Sequence, residues 1–140
     1  MDRPQRTDRG GAAAQVIELD GDPDAPSRGR HAAERVLIAW GCEDPAREDL
    51  LLVVSELVTN AVLHGAEPIA VTLVRDFERV RVEVTDAAPD ASPYSSRVTN
   101  ESVAGRGLSV VTRLAAAWGW RADPGTRKTV WAELPLRSVV

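Results

Sequence analysis

Residues 55–65 read SELVTNAVLHG and place three polar side chains four residues apart in an otherwise apolar segment. At 3.6 residues per helical turn, Glu56, Asn60 and His64 form one narrow polar stripe. The broader opposite face is apolar and holds Leu50, Val54, Leu57, Val58, Ala61 and Val62. Burying an unpaired amide or hydroxyl costs about 2–7 kcal/mol, so the stripe predicts a helix whose polar edge faces a wet cleft or a bound ligand.

Length and charge narrow the class of protein. The 140 residues suffice for one domain, which we expect over residues 15–140 after a flexible arm at residues 1–14. A net charge of −4 argues against a general binder of nucleic acid or of a membrane surface. The single cysteine, Cys42, excludes an internal disulfide framework and a cysteine-based metal cluster. Because no apolar run has membrane-spanning length and the start lacks a signal-peptide core, we expect a cytoplasmic protein.

The basic residues are strongly biased. Sixteen of the seventeen are arginine, and Lys128 is the only lysine. Together with the many alanines, this bias indicates the codon usage of a GC-rich genome rather than a binding surface.

Hydrophobic periodicity predicts strands and helices in separate runs. In the first half of the chain we expect a strand at 15–19, helices at 27–40 and 44–65, and a hairpin of strands at 69–74 and 80–85. A functional lid or mobile segment is expected at 87–104. It is followed by a helix that begins with residues 105–107 and by a closing hairpin of strands at 118–121 and 129–134. Ser27 is the expected N-cap of the first helix and Gly41 its stop, while Asp44-Pro45 begins the second. This arrangement predicts an α+β fold, a two-layer sandwich with three helices on one face of a mostly antiparallel mixed sheet.

Asp86 follows a strand whose alternation places it on the same side as Val80, Val82 and Val84. A buried carboxylate needs a donor, and the exocyclic amine of a purine, a neighbouring backbone amide and an arginine are all alternatives. An aspartate before Ala87-Ala88-Pro89 also suits the start of a turn, so the residue alone does not decide between these roles.

Gly105-Arg106-Gly107-Leu108 joins two flexible backbone positions to a helix N-terminus, where free N–H groups and the helix dipole favour a phosphate. Two glycines before a helix are also common in ordinary loops. Lys128-Thr129 places a basic residue and a hydroxyl at the start of the last strand, a combination that is also ordinary on a surface. These motifs gain their weight from their order behind the Glu-x-x-x-Asn helix.

In this order the motifs resemble those of the GHKL (Bergerat-fold) ATPase superfamily, which includes gyrase, Hsp90, MutL and the histidine-kinase ATP-binding domain. Residues 56–65, 105–108 and 128–134 look most like the small anti-sigma-factor serine/threonine kinases of bacteria. The resemblance extends over about residues 15–135 and implies ATP and Mg²⁺ as cofactors.

The resemblance implies a role for each matching residue. Asn60 would hold Mg²⁺ through its side-chain oxygen, and Glu56 would orient or deprotonate the attacking hydroxyl near the γ-phosphate. Asp86 would accept a hydrogen bond from the adenine amino group, and Thr129 would support the adenine end of the nucleotide. The further nucleotide-binding positions are Gly105 and Gly107, which would wrap the phosphates, and Ala88, Arg106, Leu108 and Lys128.

Two positions depart from the family pattern. Ala88 stands two residues after Asp86, where members commonly have glycine, and a β-carbon there would crowd the base or forbid a positive φ. Residues 125–127 hold fewer glycines than is usual. His64, at a helix C-terminus, suits a structural role as well as a ligand role.

The resemblance implies a kinase and anti-sigma factor that binds a sigma factor and phosphorylates a small anti-sigma-factor antagonist on serine. It makes a homodimer plausible, and we expect no direct contact with nucleic acid or a membrane. The alternative is a catalytically degenerate scaffold that binds partner proteins with or without nucleotide. A detached sensor-kinase domain would need a phosphoacceptor histidine, for which His31 is the only candidate.

Overall fold

The computed structural model describes residues 13–88, 104–123 and 127–137, and for residues 104–107 the backbone alone. Eight elements follow one another along these residues: β1 (Ala13–Leu19), α1 (Ala25–Ala39), α2 (Ala46–His64), β2 (Ile69–Arg75), β3 (Arg79–Asp86), α3 (Ala104–Leu114), β4 (Ala117–Asp123) and β5 (Arg127–Pro135). The strands form one sheet in the order β1-β2-β3-β5-β4. The predicted α+β architecture of three helices and an open sheet is confirmed.

Each of the four described strand pairings is antiparallel, where the sequence predicted a mostly antiparallel mixed sheet. β5 inserts between β3 and β4, so the closing hairpin joins the sheet through its second strand. Both β1 and β4 are therefore edge strands, and the end of β3 meets the start of β5 near the middle of the sheet.

The core lies between the sheet and the helices. Alternate strand residues face inward, as the period-2 pattern predicts, and meet the apolar face of α2. The largest fully buried side chains are Leu37, Leu50, Leu51, Leu57, Ile69, Leu73, Leu134 and Leu136. A continuous core of this kind fixes α2 in rotation, so its polar stripe has a defined direction relative to the sheet.

Several boundaries differ from the predictions. β1 begins at Ala13, two residues before the predicted strand, and residues 1–12 of the predicted arm lie outside the described residues. α1 begins at Ala25 with Asp24 at the N-cap position, so Ser27 lies in the first turn instead of capping the helix. Pro26 explains the earlier start, because its fixed φ suits the first turn of a helix.

The ends of the helices follow simple backbone rules. Gly41 has a φ of 80°, the left-handed conformation that favours glycine after a helix, as predicted for the stop of α1. α2 begins at Ala46, with Pro45 at the N-cap position instead of the first helical one. α3 begins at Ala104, so residues 105–107 belong to its first turn. Most of the predicted lid, residues 89–103, lies outside the described residues.

Candidate functional site

The polar stripe of α2 lies at the edge of the core. Glu56 and Asn60 are of intermediate exposure, whereas Leu57 and Val58 between them are buried. Neither polar side chain makes a hydrogen bond or ion pair with any other residue that the structure describes. His64, at the end of the stripe, is exposed. Glu56 and Asn60 are therefore available to a ligand at the edge of the core.

The end of α2 lies against the end of β3. Gly65 closes the helix by donating its N–H to the carbonyl oxygen of Ala61 at 2.9 Å. A β-carbon at Gly65 would stand 2.5 Å from both Cγ and Oδ2 of Asp86. Just beyond, the N–H of Ala87 donates to the carbonyl oxygen of Ala66 at 2.8 Å. The ends of the two motifs, 21 positions apart in sequence, are thus held together, which is the arrangement that a shared site needs.

Asp86 lies on the buried face, as strand alternation predicts, and is 2% exposed. Its Oδ1 accepts a hydrogen bond from the backbone N–H of Ala88 at 2.8 Å. Its Oδ2 lies 3.5 Å from Nζ of Lys128, which is itself 3% exposed. Of the donors considered from the sequence, the structure supplies a backbone amide, and it adds a lysine that the sequence reasoning had not paired with Asp86.

The register of β3 and β5 explains this ion pair. Asp86 pairs directly with Lys128, and the preceding Thr85 pairs with Thr129. Since side chains alternate between the two faces of a sheet, the two pairs point to opposite faces. The hydroxyl oxygens of Thr85 and Thr129 lie 3.0 Å apart on the second face. Lys128, rather than Thr129, therefore stands beside the carboxylate that the resemblance assigns to adenine.

The glycine motif opens α3. Gly105 and Gly107 lie in the first turn of this helix, where backbone N–H groups have no partner within the helix. Leu108 is 7% exposed and belongs to the hydrophobic core, so its side chain stabilises the fold. The role of Gly105, Arg106 and Gly107 in holding phosphates stays a prediction.

A cavity of about 880 Å³ opens at the same end of the sheet. Its walls include Thr85, Asp86, Ala87 and Arg127, together with residues that end β1 and begin β2. Glu56 and Asn60 do not line it. The cavity therefore borders Asp86 at the end of the sheet, and the polar stripe of α2 lies outside its lining.

None of the helices within the described ranges is long and apolar enough to cross a membrane.

Comparison with known proteins identifies the family and the fold. Residues 19–133 match the model of the histidine kinase-like ATPase domain. A search of curated proteins finds no match. The crystal structure of the RsbU and RsbW domains of a Mycobacterium tuberculosis protein aligns with a TM-score of 0.64 and 21% identity. That alignment covers 91% of this chain but only 34% of the other, so this chain spans about a third of it.

Two further structures share the fold. The SiaB–SiaC complex from Pseudomonas aeruginosa aligns with a TM-score of 0.54 and 15% identity, over 85% of this chain and 89% of the other. The histidine kinase AdeS of Acinetobacter baumannii aligns with a TM-score of 0.50 and 10% identity, over 87% and 68%. The resemblance to GHKL ATPases drawn from the motifs is confirmed by the family match, which spans most of the sequence. The chain belongs to the histidine kinase-like ATPase domain family.

Proposed function

We propose that this chain binds Mg·ATP and phosphorylates a protein on serine, as an anti-sigma-factor kinase. The observation that carries the proposal is the meeting of α2 and β3. The stripe with Glu56 and Asn60 has no partner among the described residues, and its helix ends against Asp86. Glu56 and Asn60 are of intermediate exposure, so their polar groups are open to a ligand.

The residues fit the parts that phosphoryl transfer requires. The side-chain oxygen of Asn60 would hold Mg²⁺, an ion that takes few protein ligands and completes its shell with phosphate oxygens and water. Backbone N–H groups at the start of α3, around Gly105 and Gly107, would bind phosphate oxygens at the positive end of the helix dipole. Asp86 would accept a hydrogen bond from the adenine amino group. The base and the metal would thus be held by different elements, β3 and α2.

When bound, Mg·ATP supplies the phosphoryl group. Glu56 would accept the proton of the substrate serine as its hydroxyl oxygen bonds to the γ-phosphorus, the bond to the β,γ-bridging oxygen breaks and ADP leaves. Phosphoryl transfer depends mainly on positioning and charge neutralisation, so one base, one metal ligand and a backbone cradle suffice.

The partners we propose are a sigma factor and a small antagonist protein. Two of the similar structures support a protein partner: one holds RsbU and RsbW domains, and the other is a complex of SiaB with SiaC. A homodimer and a cytoplasmic location stay predictions.

A phosphotransfer assay tests the kinase proposal. The purified chain, incubated with Mg·[γ-³²P]ATP and a cognate antagonist, should label the antagonist on serine. Glu56→Gln should abolish labelling, whereas Glu48→Gln should leave it unchanged, because Glu48 is an exposed residue in the first turn of the same helix. An antagonist left unlabelled by the wild-type chain would show that the kinase proposal is wrong.

A second candidate function is a scaffold that binds partner proteins without catalysis. The observation that favours it is the contact of Asp86 with Ala88 and Lys128, which gives the carboxylate a hydrogen-bond donor and an opposite charge without any adenine. Partner binding that survives Glu56→Ala, together with absent phosphotransfer, would favour this scaffold.

A further inference from the structure

The one lysine of the chain occupies a buried position beside Asp86, while all other basic residues are arginine. We propose that Lys128 is an internal competitor for the base-binding carboxylate: its ammonium group holds Asp86 and thereby lowers the affinity for adenine nucleotides. This inference rests on the proposed function, because it concerns the same nucleotide site.

Lys128 and Asp86 are both charged and both buried. The ammonium and carboxylate groups are 4% and 2% exposed as side chains and lie 3.5 Å apart, so their attraction is little screened by water. An adenine amino group is an uncharged donor, and contacts between two charged groups are stronger than those with one neutral partner. A base that replaces Lys128 at Asp86 would exchange a charged donor for a neutral one. The intramolecular contact therefore opposes nucleotide binding.

The space around the Asp86 carboxylate is crowded. Oδ1 is held by the N–H of Ala88 at 2.8 Å. On the other side, a β-carbon added to Gly65 would lie 2.5 Å from Oδ2. Nζ of Lys128 lies 3.5 Å from the same oxygen. An incoming donor therefore meets an oxygen whose surroundings are already filled by this chain, and Lys128 is the neighbour with a flexible side chain.

The pairing of β3 with β5 keeps Lys128 in place. Lys128 and Asp86 are paired directly in the ladder between β3 and β5. On the opposite face, the adjacent Thr85 and Thr129 hydroxyl oxygens lie 3.0 Å apart, which supports the same register. Strand movement would shift every inward residue of β5, so the contact can open only by rotation of the lysine stem.

Lysine suits this position better than arginine. A guanidinium group is a planar fork that suits a carboxylate with both oxygens free, whereas an ammonium group is compact and can sit against one oxygen. Lys128 contacts Oδ2 of Asp86, while Oδ1 accepts a hydrogen bond from the N–H of Ala88. In a chain that otherwise uses arginine, this position favours the compact cation.

The test compares nucleotide affinity by isothermal titration calorimetry in the wild type, Lys128→Met and Lys128→Gln. Methionine removes the ammonium group and keeps an unbranched stem, and glutamine keeps a neutral donor for Asp86 should Lys128→Met fail to fold. Arg121→Met is the matched control, because Arg121 is an exposed cation on β4. Each protein is titrated with Mg·ATP and with magnesium tripolyphosphate, which lacks the base.

We expect Lys128→Met to bind Mg·ATP about tenfold more tightly or better, the factor that corresponds to one charge-assisted contact of typical strength. Lys128→Gln should lie between it and the wild type, and Arg121→Met should equal the wild type. Affinity for tripolyphosphate should not rise in any variant, because the competition is at the base.

Unchanged or weaker ATP binding in both Lys128 variants would overturn the inference while leaving the proposed function intact, provided that the wild type binds Mg·ATP. An equal gain for tripolyphosphate would also overturn it, since that gain would reflect a loosened site. Absence of ATP binding in the wild type and in every variant would refute both the inference and the proposed nucleotide site.

Discussion

Gly65 lies directly against the carboxylate of Asp86, so that a β-carbon on the glycine would stand 2.5 Å from Asp86 Cγ. This contact joins the end of α2 to the end of β3, and with them the two ends of the proposed site. No side chain fits there without movement of the helix end or of a buried ion pair.

Gly65→Ala should therefore destabilise the protein by about 1–3 kcal/mol, the usual cost of overpacking a well-packed site. Chemical denaturation of the variant and the wild type measures this difference. Gly29→Ala is the control: a β-carbon there would meet Leu19 Cδ1 at 3.2 Å, a flexible side-chain end, and alanine favours a helix interior by about 1 kcal/mol. Gly65→Ala as stable as the wild type would contradict the close contact.

Asp86→Asn should cost about 3–5 kcal/mol of stability, because it removes the negative charge that lies 3.5 Å from the buried Lys128 ammonium group. Glu48→Gln is the matched control, since it breaks an ion pair with Arg30 of similar length, 3.3 Å, whose side chains are 54% and 37% exposed. Exposed pairs contribute about 0–1 kcal/mol. Equal losses for the two variants in urea unfolding would show that Asp86 and Lys128 do not form a buried pair.

Glu56→Gln and Asn60→Ala should change stability by less than about 0.5 kcal/mol, because neither side chain has a partner among the residues described. The measurement is the midpoint of urea unfolding without nucleotide. A loss of 2 kcal/mol or more, on the order of a core hydrogen-bond network, would show that the stripe stabilises the fold instead of serving a ligand.

The buried thiol of Cys42 should make the stability of the protein depend on pH. Burial raises the pKa of its thiol, whose Sγ lies 3.3 Å from the carbonyl oxygen of Leu136. The unfolded thiol, with a pKa of about 8.5, then loses its proton at a lower pH than the folded one. The contribution of Cys42 to stability is therefore fully present below the unfolded pKa and is lost as the pH rises through the folded pKa.

Iodoacetamide at pH 8 should accordingly alkylate the native protein far more slowly than the protein in urea. Mass spectrometry follows this reaction cleanly, because the chain holds one cysteine. Equal rates in the two conditions would contradict the buried position of Cys42.

The fold could be predicted from the sequence because its helical and strand periodicities each extend over many residues. The polar stripe of α2 and the inward alternation that ends in Asp86 both follow from residue spacing, and the structure places both as expected. The boundaries were less accurate: a proline tolerated in the first turn moved the start of α1 to Ala25, ahead of the predicted cap at Ser27.

Patterns within a single strand could not identify Lys128 as the partner of Asp86. Alternation shows that Lys128 and Thr129 point to opposite faces of β5, but not which of them faces the helices. That choice follows from the pairing of β3 with β5 in a particular register, which is a long-range property. The single lysine in an arginine-rich chain was the available signal, and composition alone does not place it next to Asp86.

The most direct test of the nucleotide site is thermal unfolding of the wild type and Asn60→Ala with and without saturating Mg·ATP. A ligand at a hundredfold its Kd adds about 2.7 kcal/mol, so the wild-type Tm should rise by several degrees. Asn60→Ala should unfold at the wild-type temperature without nucleotide and shift little with it. A wild-type Tm that does not move with Mg·ATP, or an equal shift in both proteins, would contradict a nucleotide site built on Asn60.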